Sequence, residues 1–274
     1  MLTISELFVY PIKSLGGVSL RQAHVTDRGL QYDRRWMLID SQNRFLTQRE
    51  YPQMALLTVL IGADGLSVVH PEMGTIRIPF ESAYSDAEEV RIWEDCCTAV
   101  LMGSDFDAWF SEALGMNCRL VYMPDSTERQ VDQRYAAKGA ITSFSDAYPF
   151  LLIGQASLDD LNRRLETPLP MNRFRPNIVF TGAEPFEEDR MNHIRIGDKI
   201  DFYGVKLCAR CVMTTIDQQS GEKSKEPLKT LASYRSKNKK ILFGQNLVHQ
   251  GNGTIEVGDS LEVLTKHAEE RFMV

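Results

Sequence analysis

The chain has 274 residues, of which 43% are hydrophobic and 25% charged, a globular balance that leaves no room for wholesale disorder or a fibrous repeat. Its formal net charge is −6, so it lacks the broad basic field of a nucleic-acid binder, and no nucleic-acid partner is expected, although a local basic pocket is not excluded. Five cysteines, an odd number with Cys96 and Cys97 adjacent, make a poor disulfide framework, and there is no run of about 18 apolar residues to span a membrane.

The N-terminus alternates rather than showing the charged and apolar regions of a secretory signal, so a cytoplasmic, reducing location is expected. In chain order, Ile4 to Val9, Trp36 to Ile39, Met54 to Ile61, Leu66 to Val69 and Thr75 to Ile78 are short apolar stretches, with turn pairs at Gly16-Gly17 and Asp64-Gly65. That rhythm predicts a small all-β unit, sandwich or barrel. Val90 to Met102 reads as two more strands, and Ser104 is expected to cap a helix over Asp105 to Leu114 that Gly115 stops. Asp125 to Phe144 is polar and aperiodic, which predicts a long ordered loop or a crossing between domains. Pro149 to Ile153 is expected as a strand leading into a helix over Leu158 to Leu165 with Ser157 as its cap, and Asn177 to Phe180 as another buried strand. Ile196-Gly197-Asp198-Lys199-Ile200 and Val257-Gly258-Asp259-Ser260-Leu261 share one shape, which predicts two equivalent turns of one barrel. Lys223 to Lys240 is basic and reads as a solvated surface segment, helical over Pro227 to Tyr234.

Cys208-Ala209-Arg210-Cys211 is the sharpest local motif. A zinc site needs a second pair, and Cys96-Cys97 has the wrong spacing while no histidine pair stands in for it. A dithiol redox centre belongs at a helix N-terminus, whereas β-branched residues follow here. One cysteine giving a thiolate to a soft, higher-valent metal is a third reading, with the adjacent Arg210 suited to a charged sulfur; two buried, inert cysteines are the plain alternative. Basic residues recur where the chain should turn, at Lys13-Ser14, Arg34-Arg35 and Arg173 to Asn177. Each alone suits a surface, but together they would make an anion pocket. No phosphate-cradling glycine motif, nucleophile elbow or H-E-x-x-H run is present, and Asp146 and Asp217 are isolated acids that also suit turns or caps.

Tyr10-Pro11-Ile12-Lys13-Ser14, Asp33-Arg34-Arg35-Trp36, Ser145-Asp146 with Pro149-Phe150-Leu151, Phe174-Arg175-Pro176-Asn177-Ile178, Cys208 to Asp217, and Leu242-Phe243-Gly244-Gln245-Asn246 resemble, in order and over nearly the whole chain, the MOSC family with its N-terminal β-barrel domain. The likeness is strongest to bacterial relatives of the mitochondrial amidoxime-reducing component. It implies an α+β, mainly β protein: an N-terminal β-barrel-like domain over 1–120, packed against a C-terminal MOSC β-barrel domain over 121–266 with a few helices. It further implies the molybdenum cofactor, molybdopterin, in the cleft between them, with Cys211 as metal ligand and catalytic residue and Cys208 as a structural neighbour. By the same resemblance Lys13, Ser14, Arg34, Arg175 and Asn177 hold the pterin phosphate and ring, and Asp146, Ala147, Tyr148, Ala209, Arg210 and Asn246 complete the pocket. The implied reaction is reductive removal of oxygen from N-hydroxylated compounds, such as amidoximes, hydroxylamines and N-hydroxylated bases, a detoxification chemistry. Small hydroxyl residues stand at Ala147 and Tyr148 in the mitochondrial relatives, so contacts there are lost or pass to the backbone. The chain carries no four-cysteine run for an iron–sulfur cluster, so electrons are expected from a separate protein or from a further ferredoxin-like domain. Pyridoxal phosphate is not expected. The rival reading is a carrier or sulfur-transfer module that binds the cofactor, or a persulfide, without reductase activity.

Overall fold

The computed structural model describes residues 1–81, 86–136, 139–197 and 200–268, so Asp198-Lys199 of the first glycine turn lie outside the described residues. The protein is mainly β, with three α-helices among the described residues, α1 (Ser104–Leu114), α2 (Gln155–Asn162) and α3 (Leu228–Tyr234). No helix is long and apolar enough to cross a membrane.

Seven strands close into a barrel: β1 (Leu2–Val9), β2 (Phe150–Gly154), β3 (Ile178–Thr181), β4 (Met191–Ile196), β5 (Ile200–Ala209), β6 (Lys240–Gln250) and β7 (Ser260–Lys266). Around the barrel the order is β2, β3, β1, β7, β4, β5, β6, and β6 pairs back onto β2. Only β2 and β3 are parallel, because α2 crosses over between them. Phe150, Leu152, Ile178, Phe180, Phe202 and Leu247 fill the interior. In β1 the buried Ile4 and Leu7 lie three apart rather than two. The register against β3 slips between Ile4 and Glu6, and that irregularity returns Leu7 to the inner face. The two glycine turns sit side by side, Gly197 N–H donating to the Ser260 carbonyl at 3.0 Å.

A second unit is built on Ile12, Trp36, Leu38, Val59, Val68 and Phe110. It holds a three-stranded meander (Thr58–Ile61, Gly65–His70, Gly74–Pro79) and a four-stranded sheet ordered Trp36–Ile39, Arg119–Tyr122, Asp95–Leu101, Ala87–Ile92. The expected strand from Met54 is corrected: Pro52–Leu56 forms a 3-10 turn, since Pro52 fixes its own φ and has no N–H to give a ladder. The helix start is corrected too. Gly103, at φ 118°, is the N-cap of α1 and Ser104 its first residue, whereas Gly115 does end the helix in a left-handed conformation at φ 66°.

In α2 the expected cap is displaced. Gly154 is the N-cap, and Ser157 lies inside the helix with its hydroxyl donating to Glu188 at 2.8 Å and accepting from the Phe186 N–H at 2.7 Å. The aperiodic 125–144 stretch carries a short ladder, Arg129–Gln130 against Ile141–Thr142. Buried Arg129 ties it down, donating to the carbonyls of Ser143 at 3.0 Å and Ser145 at 2.6 Å while pairing with Asp95 at 2.7 Å. That anchoring delivers Asp146 to the site.

Candidate functional site

A cleft of about 680 Å³ is lined from both units by Lys13, Ser14, Arg34, Asp146, Ala147, Tyr148, Arg175, Asn177, Ala209, Arg210, Cys211 and Asn246. The residues that the resemblance assigned to the cofactor pocket thus meet in one place. Arg49, Lys206, Lys237 and Lys240 line it as well, so among the described residues eight cationic side chains face a single acid, Asp146, in a chain of net charge −6. The Lys223 to Lys240 segment is largely exposed and helical over Leu228–Tyr234 as expected, and it also brings Lys237 and Lys240 to the cleft.

Tyr10 organises one wall. Its buried ring is held between two guanidiniums, Arg34 at 4.3 Å and Arg175 at 4.1 Å, and its hydroxyl donates to the Pro176 carbonyl at 3.0 Å. Burial pushes the Tyr10 phenol up to about 12 and the Arg175 guanidinium down to about 10, so both keep their ordinary forms near neutral pH. Arg34 also donates to Asp33 and to Asn177 Oδ1, and Asn177 Nδ2 donates to the Phe8 carbonyl at 3.2 Å. Ser14 (φ 68°), Arg34 (φ 49°) and Arg175 (φ 55°) all hold left-handed backbone that non-glycine residues rarely adopt. Three such residues on one wall mark a place where geometry is kept at some conformational cost.

A second cluster centres on Asp146. Lys13 Nζ donates to Oδ1 at 2.6 Å and to the Phe144 carbonyl at 2.8 Å, while Arg49 Nη2 donates to Oδ2 at 2.6 Å. Desolvation by the surrounding cleft would favour the neutral acid, but the side chain is 46% exposed, and Lys13 and Arg49 hold the Asp146 carboxyl well below the ordinary carboxylate range. Burial brings the Lys13 ammonium down to about 8 despite that partner.

Cys211 follows the end of β5 and opens a 3-10 turn over Val212–Thr215. Its carbonyl accepts from Thr214 Oγ1 at 3.0 Å, and Arg173 Nε secures the turn by donating to the Thr214 carbonyl at 3.0 Å. The cation expected beside Cys211 belongs instead to Cys208: Arg210 Nη1 lies 3.1 Å from Cys208 Sγ and Nη2 donates to the Phe174 carbonyl at 2.6 Å. Arg49, which the sequence did not single out, reaches Cys211 with Nε 3.2 Å from Sγ. Arg35 and Arg173 do not join the cleft. Arg35 turns to Asp125 at 2.7 Å, and Arg173 to Asp217 at 3.1 Å behind the cysteine turn, where Asp217 also accepts from the Gln219 and Ser220 N–H groups.

All five cysteines are free, and among the described residues no three His, Cys, Asp or Glu side chains gather into a metal cage. The cleft does fit a polyanionic cofactor ligated by one sulfur. Ser14 Oγ and Arg210 Nε are buried on its wall without a hydrogen-bond partner, donors left for a ligand, amid an excess of positive charge.

Residues 1–117 match the MOSC N-terminal beta barrel domain and residues 140–262 the MOSC domain. The chain is 34% identical to mitochondrial amidoxime-reducing component 1 of Mus musculus across 96% of its own length and 82% of that protein's, and 33% identical to the Homo sapiens protein of the same name across 96% and 83%. It is also 35% identical to a molybdenum cofactor sulfurase of Oryza sativa subsp. japonica, over 88% of this chain but only 32% of that longer protein. With both domains in order and this identity over nearly its whole length, the chain belongs to the MOSC family, among the two-domain relatives of the amidoxime-reducing components.

Proposed function

We propose that this protein is a molybdenum-cofactor-dependent reductase of N-hydroxylated compounds, with Cys211 as the metal ligand and its electrons drawn from a redox partner, a separate protein or a further ferredoxin-like domain. The observation that carries the reading is the convergence of Cys211, eight cations and two unpartnered buried donors on one cleft. When bound, the cofactor supplies the two-electron chemistry that cleaves an N–O bond, taking R–NHOH with two electrons and two protons to R–NH2 and water. The protein binds and orients. Arg34 and Arg175, braced by Tyr10, present planar forks suited to a phosphate, and Ser14 Oγ and Arg210 Nε complete its hydrogen bonds. Asn177 keeps Arg34 in register by accepting from it at 3.1 Å. Asp146 stays ionised, so it anchors Lys13 and Arg49 rather than delivering a proton.

The sulfurase relative supports a second reading, a cofactor or sulfur carrier without turnover. Reduced viologen with a hydroxylamine substrate separates the two. A reductase oxidises the dye in proportion to substrate, and Cys211→Ala abolishes this together with bound molybdenum. A protein that holds molybdenum yet leaves the dye reduced is a cofactor carrier, and one that takes up no molybdenum from a host that makes the cofactor is not the reductase, with persulfide on a cysteine then deciding sulfur carriage.

A further inference from the structure

Arg49 stands on a loop of the N-terminal unit, while Cys211 and Asp146 come from far along the chain. Its side chain is 16% exposed, and its guanidinium spends its N–H groups in three directions: Nε toward Cys211 Sγ at 3.2 Å, Nη2 to Asp146 Oδ2 at 2.6 Å, and Nη1 to Thr47 Oγ1 at 3.0 Å. Trp93 covers one face with its ring at 4.7 Å, and its indole N–H donates in turn to Asp146 Oδ1 at 3.4 Å. The Arg49 carbonyl accepts from Lys223 Nζ at 2.9 Å, which fixes the backbone as well. Charge closes the arrangement. Lys13 and Arg49 together bring two positive charges to the one carboxylate of Asp146, and the surplus charge faces the Cys211 sulfur.

We propose that Arg49 is a positioning residue that sets the Cys211 sulfur against Asp146 across the junction of the two units, and so fixes the direction in which the sulfur meets the metal. The inference rests on the proposed cofactor reading for its metal but not for the contact itself. Only a planar fork serves all three directions; a lysine ammonium keeps the charge and loses the geometry.

The test has two arms. In protein loaded in a host that makes the cofactor, Arg49→Lys is expected to retain pterin and phosphorus at near-wild-type stoichiometry. Its kcat should fall about tenfold or more with KM within about twofold, the pattern of a misplaced ligand rather than lost substrate binding. X-ray absorption at molybdenum should show partial loss of the protein sulfur. A full sulfur shell with wild-type kcat overturns the proposal.

The second arm uses the cofactor-free chain. The Tm shift caused by Cys211→Ala in the wild-type background should shrink to less than about half in an Arg49→Gln background, because contacting partners are not additive. Additive shifts overturn the contact. If the wild type takes up no molybdenum, the reductase reading fails while this second arm still judges Arg49. If Arg49→Lys does not fold, Trp93→Ala frees the same guanidinium from its face. It is expected to give the same split between kcat and KM at smaller amplitude, and an unchanged kcat there counts against the proposal.

Discussion

Ser14 combines left-handed backbone with a buried hydroxyl that has no partner in the protein. Removing that hydroxyl breaks no internal hydrogen bond, so Ser14→Ala should keep its Tm within about 2 °C while weakening retention of the cofactor by about tenfold, the worth of one charge-assisted hydrogen bond. A fall in Tm without loss of retention would show a structural hydroxyl instead. Lys13 offers a pH test. Its folded value of about 8 lies below the ordinary 10.5, so above about 8 the cleft loses one cation and holds an anionic ligand less well. For the empty chain the sign is opposite: between those two values the unfolded state binds more protons, so this group's contribution to stability rises with pH. Cofactor retention after dialysis at pH 7 and pH 9 checks the first, and Lys13→Met should abolish the step. Lys13, Arg34 and Arg175 were legible in the sequence because each is a cation placed at a turn beside apolar chain. Arg49 was not, since Thr47 to Glu50 reads like any polar loop and its partners Asp146 and Cys211 lie 97 and 162 residues away.

Local signals were read in part: Gly115 ends α1 as expected, whereas the turn at Pro52 and the starts of α1 and α2 were missed. Gly115 stops α1 because a left-handed residue is required there, a constraint carried by one position. The start of α2 is governed by Glu188, which accepts from the Gly154 N–H at 3.2 Å and from Ser157 Oγ, and no local pattern announces a carboxylate that arrives 31 residues later. Burial, with Asp189 beside it, raises the Glu188 carboxyl to about 7. The folded protein therefore keeps this proton to higher pH than the unfolded chain, and stability drains away as pH climbs from the ordinary glutamate range through that value. Glu188→Gln should flatten this dependence, measured as urea midpoints at pH 5 and pH 8, because glutamine keeps the oxygen acceptor without an ionisation. An undiminished slope in the variant would assign it to another group.

At the scale of the molecule, the mainly β class and the cleft were legible, but the weaving of the chain was not. Alternation marks β1 as a strand and says nothing about its neighbours. It lies in the C-terminal barrel, Thr3 opposite both Thr181 and Ser260, and the strand Gln22–Thr26 pairs with Gly253–Glu256. Deleting residues 1–9 should therefore open the barrel rather than trim an end. Limited proteolysis is expected to cut around β3 and β7 in the truncated chain and to spare them in the intact one. Equal resistance would mean that the barrel closes without its first strand.

The same strand governs the order of assembly. It is made well before its partners: one of its edges waits for residues near 180 and part of the other for residues near 260. A ribosome-bound chain cannot close this barrel by stages, because long-range pairing must precede any gain from it. The cleft, lined by residues as far apart as Lys13 and Asn246, takes shape only once both have been made and paired. Any cofactor must then be handed to a closed barrel, never to its first strands.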